Sequence, residues 1–173
     1  MIDVQELIST ISDLIISDIK TNLKDQGHNN TGSLLNSIDF KAYQAADTIV
    51  SDFFMNDYGN KVNYGVSASR IQYRLGSGAK KRKYIDDLIN YFLSKGYSDK
   101  ESKSFAFATA TIHKREGMPT KASSRFSKNG ERTGFVTKVI DNNNNFDILS
   151  HEFMLRIDNF IDEMILNLTN YGN

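Results

Sequence analysis

Residues 84–116 read YIDDLINYFLSKGYSDKESKSFAFATATIHKRE, and this stretch contains the signals for two successive helices. Glycine readily adopts the left-handed conformation that ends many helices, so Gly96 is the expected end of the first helix. Ser98 and Glu101 have the spacing of a capping box, which predicts the start of a second helix. The stretch therefore predicts a helical pair with a short turn at its centre. The apolar residues of its first helix recur at helical spacing, at Tyr84, Ile85, Leu88, Ile89, Phe92 and Leu93.

The apolar stripes of the pair predict which side chains meet between its two helices. Phe92 in the first helix and Phe105 and Ile112 in the second are the expected contacts, with Phe105 buried. Truncation of a buried phenylalanine to alanine costs on the order of 3 kcal/mol, which is the effect expected of Phe105→Ala. The alanines of the second helix would allow a neighbouring element to approach closely.

Apolar residues at helical spacing also predict a long helix at each end of the chain. The first pattern covers residues 2–23 and stops before Gly27, and the last covers residues 146 to about 168. We expect the N-terminal helix to pack with the C-terminal helix and with a hairpin, and so to form the main core.

The hairpin follows the N-terminal helix. Residues 40–46 and 48–55, FKAYQAA and TIVSDFFM, are rich in β-branched and aromatic residues, which predicts two strands. Residues 56–70 have glycine or asparagine every few positions, which predicts a loop. The predicted fold class is α+β, with long N- and C-terminal helices packed on a small antiparallel sheet and an inserted helical pair.

Length and composition set limits on the architecture and on the chemistry. The 173 residues suit a single domain, 1–173, with a helical insertion at about 84–116 and a basic loop at about 117–134. The chain has no cysteine, which excludes disulfides, thiolate metal sites and a cysteine nucleophile. No apolar run approaches the roughly 20 residues that cross a bilayer, and the first residues lack the features of a signal peptide. We expect no membrane contact and a cytoplasmic place of work.

The zero net charge hides a division into three segments. Residues 1–60 carry nine acids and three bases, residues 61–140 six acids and seventeen bases, and residues 141–173 six acids and one base. The middle is therefore basic and both ends are acidic. Such a division suits a polyanion partner for the middle, head-to-tail contact between copies of the chain, or neutralisation of one segment by another within a monomer.

Much of the positive charge lies in one polar stretch, His113 to Val136, which reads HKREGMPTKASSRFSKNGERTGFV and contains the only proline. Its low apolar content predicts that residues 113–134 are mobile in the isolated chain and become ordered on assembly. The candidate residues for contact with a neighbouring subunit or with DNA are Lys114, Arg115, Lys121, Arg125, Lys128, Arg132 and Lys138.

Catalytic signals are weak in this sequence. The three histidines, His28, His113 and His151, lack the spacing of a metal site. Residues 76–81, GSGAKK, lack the spacing of a phosphate-binding loop. The acids Asp86 and Asp87 suit the first turn of a helix for reasons of the helix dipole alone. We expect no catalytic residues, no metal and no cofactor, and hence no enzyme.

The order of several short motifs resembles that of the tail-completion and neck proteins of tailed bacteriophages, the group often called HK97 gp10-like. The first motif is a Thr-Gly-x-Leu-x-x-Ser-Ile turn and the second a Tyr-Gly element. A helix, Lys-Gly, alanine-rich helix and Gly-x-Pro unit follows, and then a Phe-Val helix start. The matching residues are Thr31, Gly32, Leu34, Ser37, Ile38, Tyr58, Gly59, Lys95, Gly96, Ala106, Ala108, Gly117, Pro119, Phe135 and Val136.

This resemblance implies a structural virion protein that forms part of a ring at the head–tail junction, through which DNA passes. The implied partners are other copies of the chain, other neck, connector or tail proteins, and genomic DNA in contacts that do not read sequence. The implied location is the virion, after assembly in the host cytoplasm. Two alternatives stay open at this point: a basic nucleic-acid-binding module and a tail-terminator-type tail protein.

Overall fold

A computed structural model describes residues 4–28, 30–46, 48–74 and 83–141, and six further positions between His151 and Ile161. Its helices are α1 (Val4–Asp25), α2 (Ser33–Ser37), α3 (Gly59–Tyr64), α4 (Lys83–Ser94), α5 (Asp99–Glu116) and α6 (Thr137–Asp141). Its strands are β1 (Asp39–Ala45) and β2 (Thr48–Phe54), and two 3-10 helices cover Ala68–Arg70 and Lys121–Phe126. The α+β fold class is confirmed.

The chain divides into two compact units with opposite charge. Met1–Gly59 and Gly134–Asn173 form one unit, and Asn60–Thr133 form the other. The first has fifteen acids and five bases, a net charge of −10, and the second has six acids and sixteen bases, a net charge of +10. We call them the acidic unit and the basic unit. The inserted helical pair of the sequence analysis therefore belongs to a longer insertion.

In the acidic unit, α1 buries one stripe against the β-hairpin. The buried positions recur at intervals of three and four residues, which places them on one face of the helix: Ser12, Ile16, Ile19, Leu23 and Gln26. The hydroxyl oxygens of Ser12 and Ser51 lie 2.8 Å apart and join α1 to β2. α1 also contacts α6, in which Val139 is buried.

Helix α1 ends as the sequence predicts. The amide of His28 donates to the carbonyl of Leu23 and the amide of Gly27 donates to the carbonyl of Lys24, at 3.1 and 2.9 Å. These two bonds form a Schellman motif, and Gly27 supplies its left-handed residue with φ of 71°.

The hairpin is antiparallel and agrees with the predicted strands to within one residue at each end. Its register pairs Asp39 with Phe54 and Ala45 with Thr48. The predicted C-terminal helix lies mostly outside the described residues. The six positions described there are helical: His151, Met154, Leu155, Asp158, Asn159 and Ile161.

In the basic unit, α4 and α5 form the predicted pair. The amide of Tyr97 donates to the carbonyl of Phe92 and the amide of Gly96 donates to the carbonyl of Leu93, at 3.3 and 2.9 Å, which is a second Schellman motif. The rings of Tyr97 and Phe92 meet edge-on, with centroids 6.0 Å apart. The predicted capping box at Ser98 and Glu101 is confirmed, and it starts α5.

The predicted burial of Phe105 is wrong. Its ring lies 5.5 Å from that of Phe92, as predicted, but 39 % of the side chain is exposed, and Ile112 is exposed as well. The buried residues of α5 are small instead: Ser102, Ala106 and Ala110. Positions four residues apart share one helix face, and small side chains there let α5 approach its neighbours closely. The phenylalanines of α5 consequently lie beside this buried face and not within it.

The loop predicted over residues 56–70 is also wrong, because α3 and a 3-10 helix occupy most of it. The amide of Gly59 donates to the carbonyl of Asn56 at 2.8 Å as α3 begins. Gly59 is buried, so its lack of a side chain serves close packing rather than chain flexibility. Among the described residues, none of the helices combines the length and the apolar character needed to cross a membrane.

Candidate functional site

The Thr-Gly-x-Leu turn is a compact start to α2. Gly32 has φ of 73° and precedes the helix, and the Thr31 hydroxyl accepts from the amide of Ser33 at 3.3 Å. Leu34 and Ile38 are buried. This motif therefore anchors α2 by its two apolar residues.

The Tyr-Gly element packs on that turn. The amide of Asn56 donates to the Ser37 hydroxyl at 3.0 Å. A Cβ atom at Gly59 would lie 2.5 Å from the Met55 sulfur and 3.1 Å from a Leu34 methyl carbon. The close approach of Met55 and Leu34 favours glycine at this position, and Tyr58 beside it is exposed. Two motifs that are separate in the sequence thus form one packed contact.

The Gly-x-Pro motif pairs with a segment that the sequence analysis assigned to a loop. Val66 and Met118 exchange two backbone hydrogen bonds, of 2.7 and 2.8 Å. A Cβ at Gly65 would lie 2.6 Å from the Met118 carbonyl oxygen, and one at Gly117 would lie 2.6 Å from the Val66 carbonyl oxygen. Both glycines have positive φ. The peptide bond between Met118 and Pro119 is cis.

The Phe-Val motif lies in the acidic unit, directly before α6. Phe135 has no exposed surface, and Val136 is half-buried. The carbonyl of Val136 accepts the amides of Val139 and Ile140, at 3.0 and 3.1 Å. This motif contributes the largest fully buried side chain of the described residues.

Two of the predicted basic residues serve contacts within the chain. The Lys114 ammonium group donates to the carbonyl of Ile71 at 3.1 Å. Arg115 donates to a Glu116 carboxylate oxygen at 2.6 Å, and the other carboxylate oxygen accepts the amide of Lys121 at 3.2 Å. The bond from Arg115, followed by that from the Lys121 amide, holds the pKa of Glu116 below its usual value. Both cations lie in the last turn of α5 rather than in a loop.

Two further basic residues differ from the rest in burial or in the unit to which they belong. Arg132 is half-buried, and burial lowers the pKa of its guanidinium group. Lys138 belongs to the acidic unit, where its side chain passes close to Gly134. Arg132 thus differs from the exposed cations of the segment in burial, whereas Lys138 is itself exposed.

The remaining candidates project from one short turn, Lys121–Lys128, which we call the basic knuckle. Lys121, Arg125 and Lys128 are exposed. The Arg125 guanidinium carbon lies 4.8 Å from the centroid of the Phe126 ring, and 62 % of Phe126 is exposed. Phe126 is not among the predicted residues, although an aromatic residue between basic residues in a polar stretch is a visible signal in the sequence.

Side-chain hydrogen bonds hold the knuckle in shape. The Ser123 hydroxyl donates to the carbonyl of Thr120 at 2.7 Å, and the Ser124 hydroxyl donates to the carbonyl of Lys121 at 3.2 Å. Downstream, the Asn129 side-chain oxygen accepts from the Ser127 hydroxyl and the Glu131 amide, at 2.7 and 3.0 Å. Serine and asparagine commonly stabilise turns in this way. The predicted mobility of residues 113–134 stays a prediction, but the segment has a defined fold with its own bonds.

His113 is part of a polar pair inside the basic unit. The Tyr84 hydroxyl and His113 Nδ1 are 2.6 Å apart and link α4 to α5. Burial raises the pKa of Tyr84 to about 12, and burial lowers the pKa of His113 although Glu116 opposes that shift. At neutral pH the phenol is protonated and the imidazole is neutral, so His113 adds no charge to the basic segment, and the imidazole tautomer decides which of the two groups donates.

Within the residues that the structure describes, no group of three or more His, Asp and Glu side chains has a geometry that could hold a metal ion. The sequence matches no protein-family model, no curated protein and no solved structure. The resemblance to phage neck proteins therefore stays a prediction, which rests on the motifs quoted above.

Proposed function

We propose that this protein is a structural virion protein of a tailed phage and forms part of the ring at the head–tail junction. The observation that carries the proposal is the division of the chain into two compact units with charges of −10 and +10. A closed ring of identical subunits needs two different, complementary surfaces on each copy. A chain with one acidic and one basic unit supplies such surfaces.

The contacts between motifs give independent support. The turn at Thr31–Ile38 and the Tyr-Gly element at Tyr58 and Gly59 pack on each other through Leu34 and Ser37. Short sequence patterns that match by chance are not expected to contact one another in the folded chain. Motifs that define one fold are expected to do so. The proposed partners are other copies of the chain, neck, connector or tail proteins, and genomic DNA.

The first experiment is genetic, in the phage that carries the gene. An early stop codon should give filled heads and separate tails that fail to join, and infectivity should return when the protein is supplied from a plasmid. An antibody to the protein should label the head–tail junction of complete particles. Particles of normal yield and infectivity without the protein would refute the proposal.

A second experiment tests the role of the basic knuckle in assembly. Reversal of charge at Lys121, Arg125 and Lys128 to Glu removes exposed cations only, whereas Arg132 is left in place because it is half-buried. We expect a folded protein that forms no rings and joins no heads to tails. The matched control is reversal at Lys95, Lys100 and Lys103, which are exposed residues of the same unit. Equal defects in both triple variants would show that total charge, not the knuckle, matters.

The second candidate function is a nucleic-acid-binding module, and the knuckle is the observation in its favour. An exposed aromatic ring beside exposed cations can stack on bases while the cations contact phosphates. This function predicts an affinity for DNA that falls steeply with salt concentration. DNA binding by the monomer, lost in the knuckle triple variant while head–tail joining is normal, would favour it over the ring protein.

A further inference from the structure

The β-hairpin has an outer face that is turned away from α1. Side chains alternate between the two faces of a strand, and Ser51 bonds to Ser12 of α1, so Ser51 marks the inner face. The residues with the opposite parity therefore form the outer face. From the register, the outer pairs are Asp39 with Phe54, Lys41 with Asp52, and Tyr43 with Val50.

This outer face is aromatic, and it carries two carboxylates and the Lys41 ammonium group, a net charge of −1. Phe54 is 50 % exposed and Tyr43 is 37 % exposed. The Tyr43 hydroxyl donates to an Asp52 carboxylate oxygen at 3.0 Å, which places that carboxylate beside the ring. Asp39 adds a second exposed carboxylate next to Phe54. Two exposed rings beside two carboxylates form a surface suited to a partner with both aromatic and basic groups.

The basic knuckle has the complementary chemistry. It presents the Phe126 ring with the Arg125 guanidinium over it, and Lys121 and Lys128 on either side in the sequence. Arginine and aromatic residues are enriched where interfaces gain most of their affinity. A guanidinium group is attracted both to carboxylates and to the faces of aromatic rings. The two surfaces therefore match in charge and in ring content.

Both surfaces are exposed in a single chain, and each belongs to the unit whose net charge matches its own sign. A contact between two copies would bring the knuckle of one onto the hairpin of the next. Because the two surfaces differ, each copy would keep one of them available after the first contact. Contacts of this heterologous kind propagate, and they close into a ring when the rotation permits.

We propose that the outer hairpin face of one copy binds the basic knuckle of the next copy. Phe126 and Arg125 stack on Tyr43 and Phe54, and the carboxylates Asp39 and Asp52 pair with the knuckle cations. This inference rests on the proposed ring assembly and names the surfaces that make it.

Disulfide trapping tests the contact, because the chain has no cysteine of its own. One sample carries Ser124→Cys in the knuckle and the other carries Lys41→Cys on the outer hairpin face. The matched control replaces Ser124→Cys with Ser104→Cys, an exposed serine on α5 of the same unit. Docking raises the local thiol concentration to about the millimolar range, so the knuckle–hairpin pair should form the mixed dimer about tenfold faster than the control pair.

One additional variant and one change of conditions identify the chemistry of the contact. Adding Phe126→Ser to the knuckle sample, or raising the salt concentration, should bring the trapping rate down to the control rate, since the first removes the stacked ring and the second screens the charges. Equal rates for the two pairs without these changes would overturn the contact. If rings still form although the two trapping rates are equal, the proposed function stands and only this contact is wrong. Particles of normal yield and infectivity without the protein would refute the proposed function itself.

Discussion

The two units of this chain build their cores in different ways. In the acidic unit the buried side chains are mostly large and apolar, among them Leu23, Leu34 and Phe135. In the basic unit the buried face of α5 consists of serine and alanine, its phenylalanines are exposed, and the large buried apolar residues Ile71 and Ile85 lie outside this helix. Large side chains stabilise by the area they remove from water, whereas small ones permit close helix contact. The same type of substitution should therefore change the free energy of unfolding by different amounts in the two units.

The largest expected effect is that of Phe135→Ala in the acidic unit. The side chain is fully buried, so truncation should lower the free energy of unfolding by about 4 kcal/mol through lost burial and a residual cavity. Chemical denaturation measures the change. The control is Phe126→Ala, an exposed phenylalanine of the basic unit, for which we expect a change within about 0.5 kcal/mol. Similar losses for both variants would contradict the difference in burial.

The next effect concerns the close backbone contact in the basic unit. Gly117 has φ of 86° and ψ of −169°, a conformation that is essentially restricted to glycine, and an added Cβ would lie 2.6 Å from the Val66 carbonyl oxygen. We expect Gly117→Ala to cost about 3 kcal/mol, from strain and the clash together. Gly96 has nearly the same φ, 88°, with no atom within 4 Å of its added Cβ. Gly96→Ala should cost only about 1 kcal/mol, and equal costs would show that the Val66 contact is unimportant.

A smaller effect tests the packing of α5 itself. Ala110 is fully buried, so Ala110→Leu should overpack the contact and cost about 2 kcal/mol. Phe105→Ala removes a side chain that is already 39 % exposed, and we expect a loss of about 1 kcal/mol rather than the 3 of a buried ring. Thermal or urea unfolding of both variants ranks them. The reverse ranking would mean that the phenylalanines, not the small residues, form the core of the pair.

The smallest effect is a pH dependence that comes from His113. Burial lowers its pKa in the folded protein, so the unfolded chain takes up the proton first as the pH falls through about 6.5. The folded state should lose stability between pH 7.5 and about 5, and His113→Gln should reduce this loss. Chemical denaturation at pH 7.5 and at about pH 5 measures the loss of stability in each variant. An unchanged slope in the His113 variant would refute the assignment.

Local signals account for the elements that the sequence predicted well. Gly27 and Gly96 end α1 and α4, and Ser98 with Glu101 starts α5. Each of these signals acts through hydrogen bonds between residues that are close in the sequence, so it can be recognised without knowledge of the rest of the fold. The richness of residues 40–46 and 48–55 in β-branched and aromatic side chains likewise predicted β1 and β2 to within a residue at each end.

The candidate site was only partly predictable. The basic residues between Lys114 and Lys138 are evident in the sequence, but their separate roles are not. Lys114 bonds to the distant carbonyl of Ile71, Arg132 is half-buried, and Phe126 is exposed in the middle of the knuckle. The glycines at 59 and 65 led to the prediction of a loop, because the sequence does not show the neighbouring atoms that leave no room for a larger side chain at these positions.

The sequence by itself determined the helix ends, the hairpin and the division into acidic and basic segments, because these depend on neighbouring residues or on composition. Only the tertiary structure decided which face of α5 is buried, that Gly59 packs on Leu34, and that Gly117 pairs with Val66. These features depend on atoms that are distant in the chain and that meet only when the fold forms. The alanines of α5 are buried where they allow close approach, as expected, but Phe105 of the same helix is exposed, because close backbone approach outweighs the burial of one more ring.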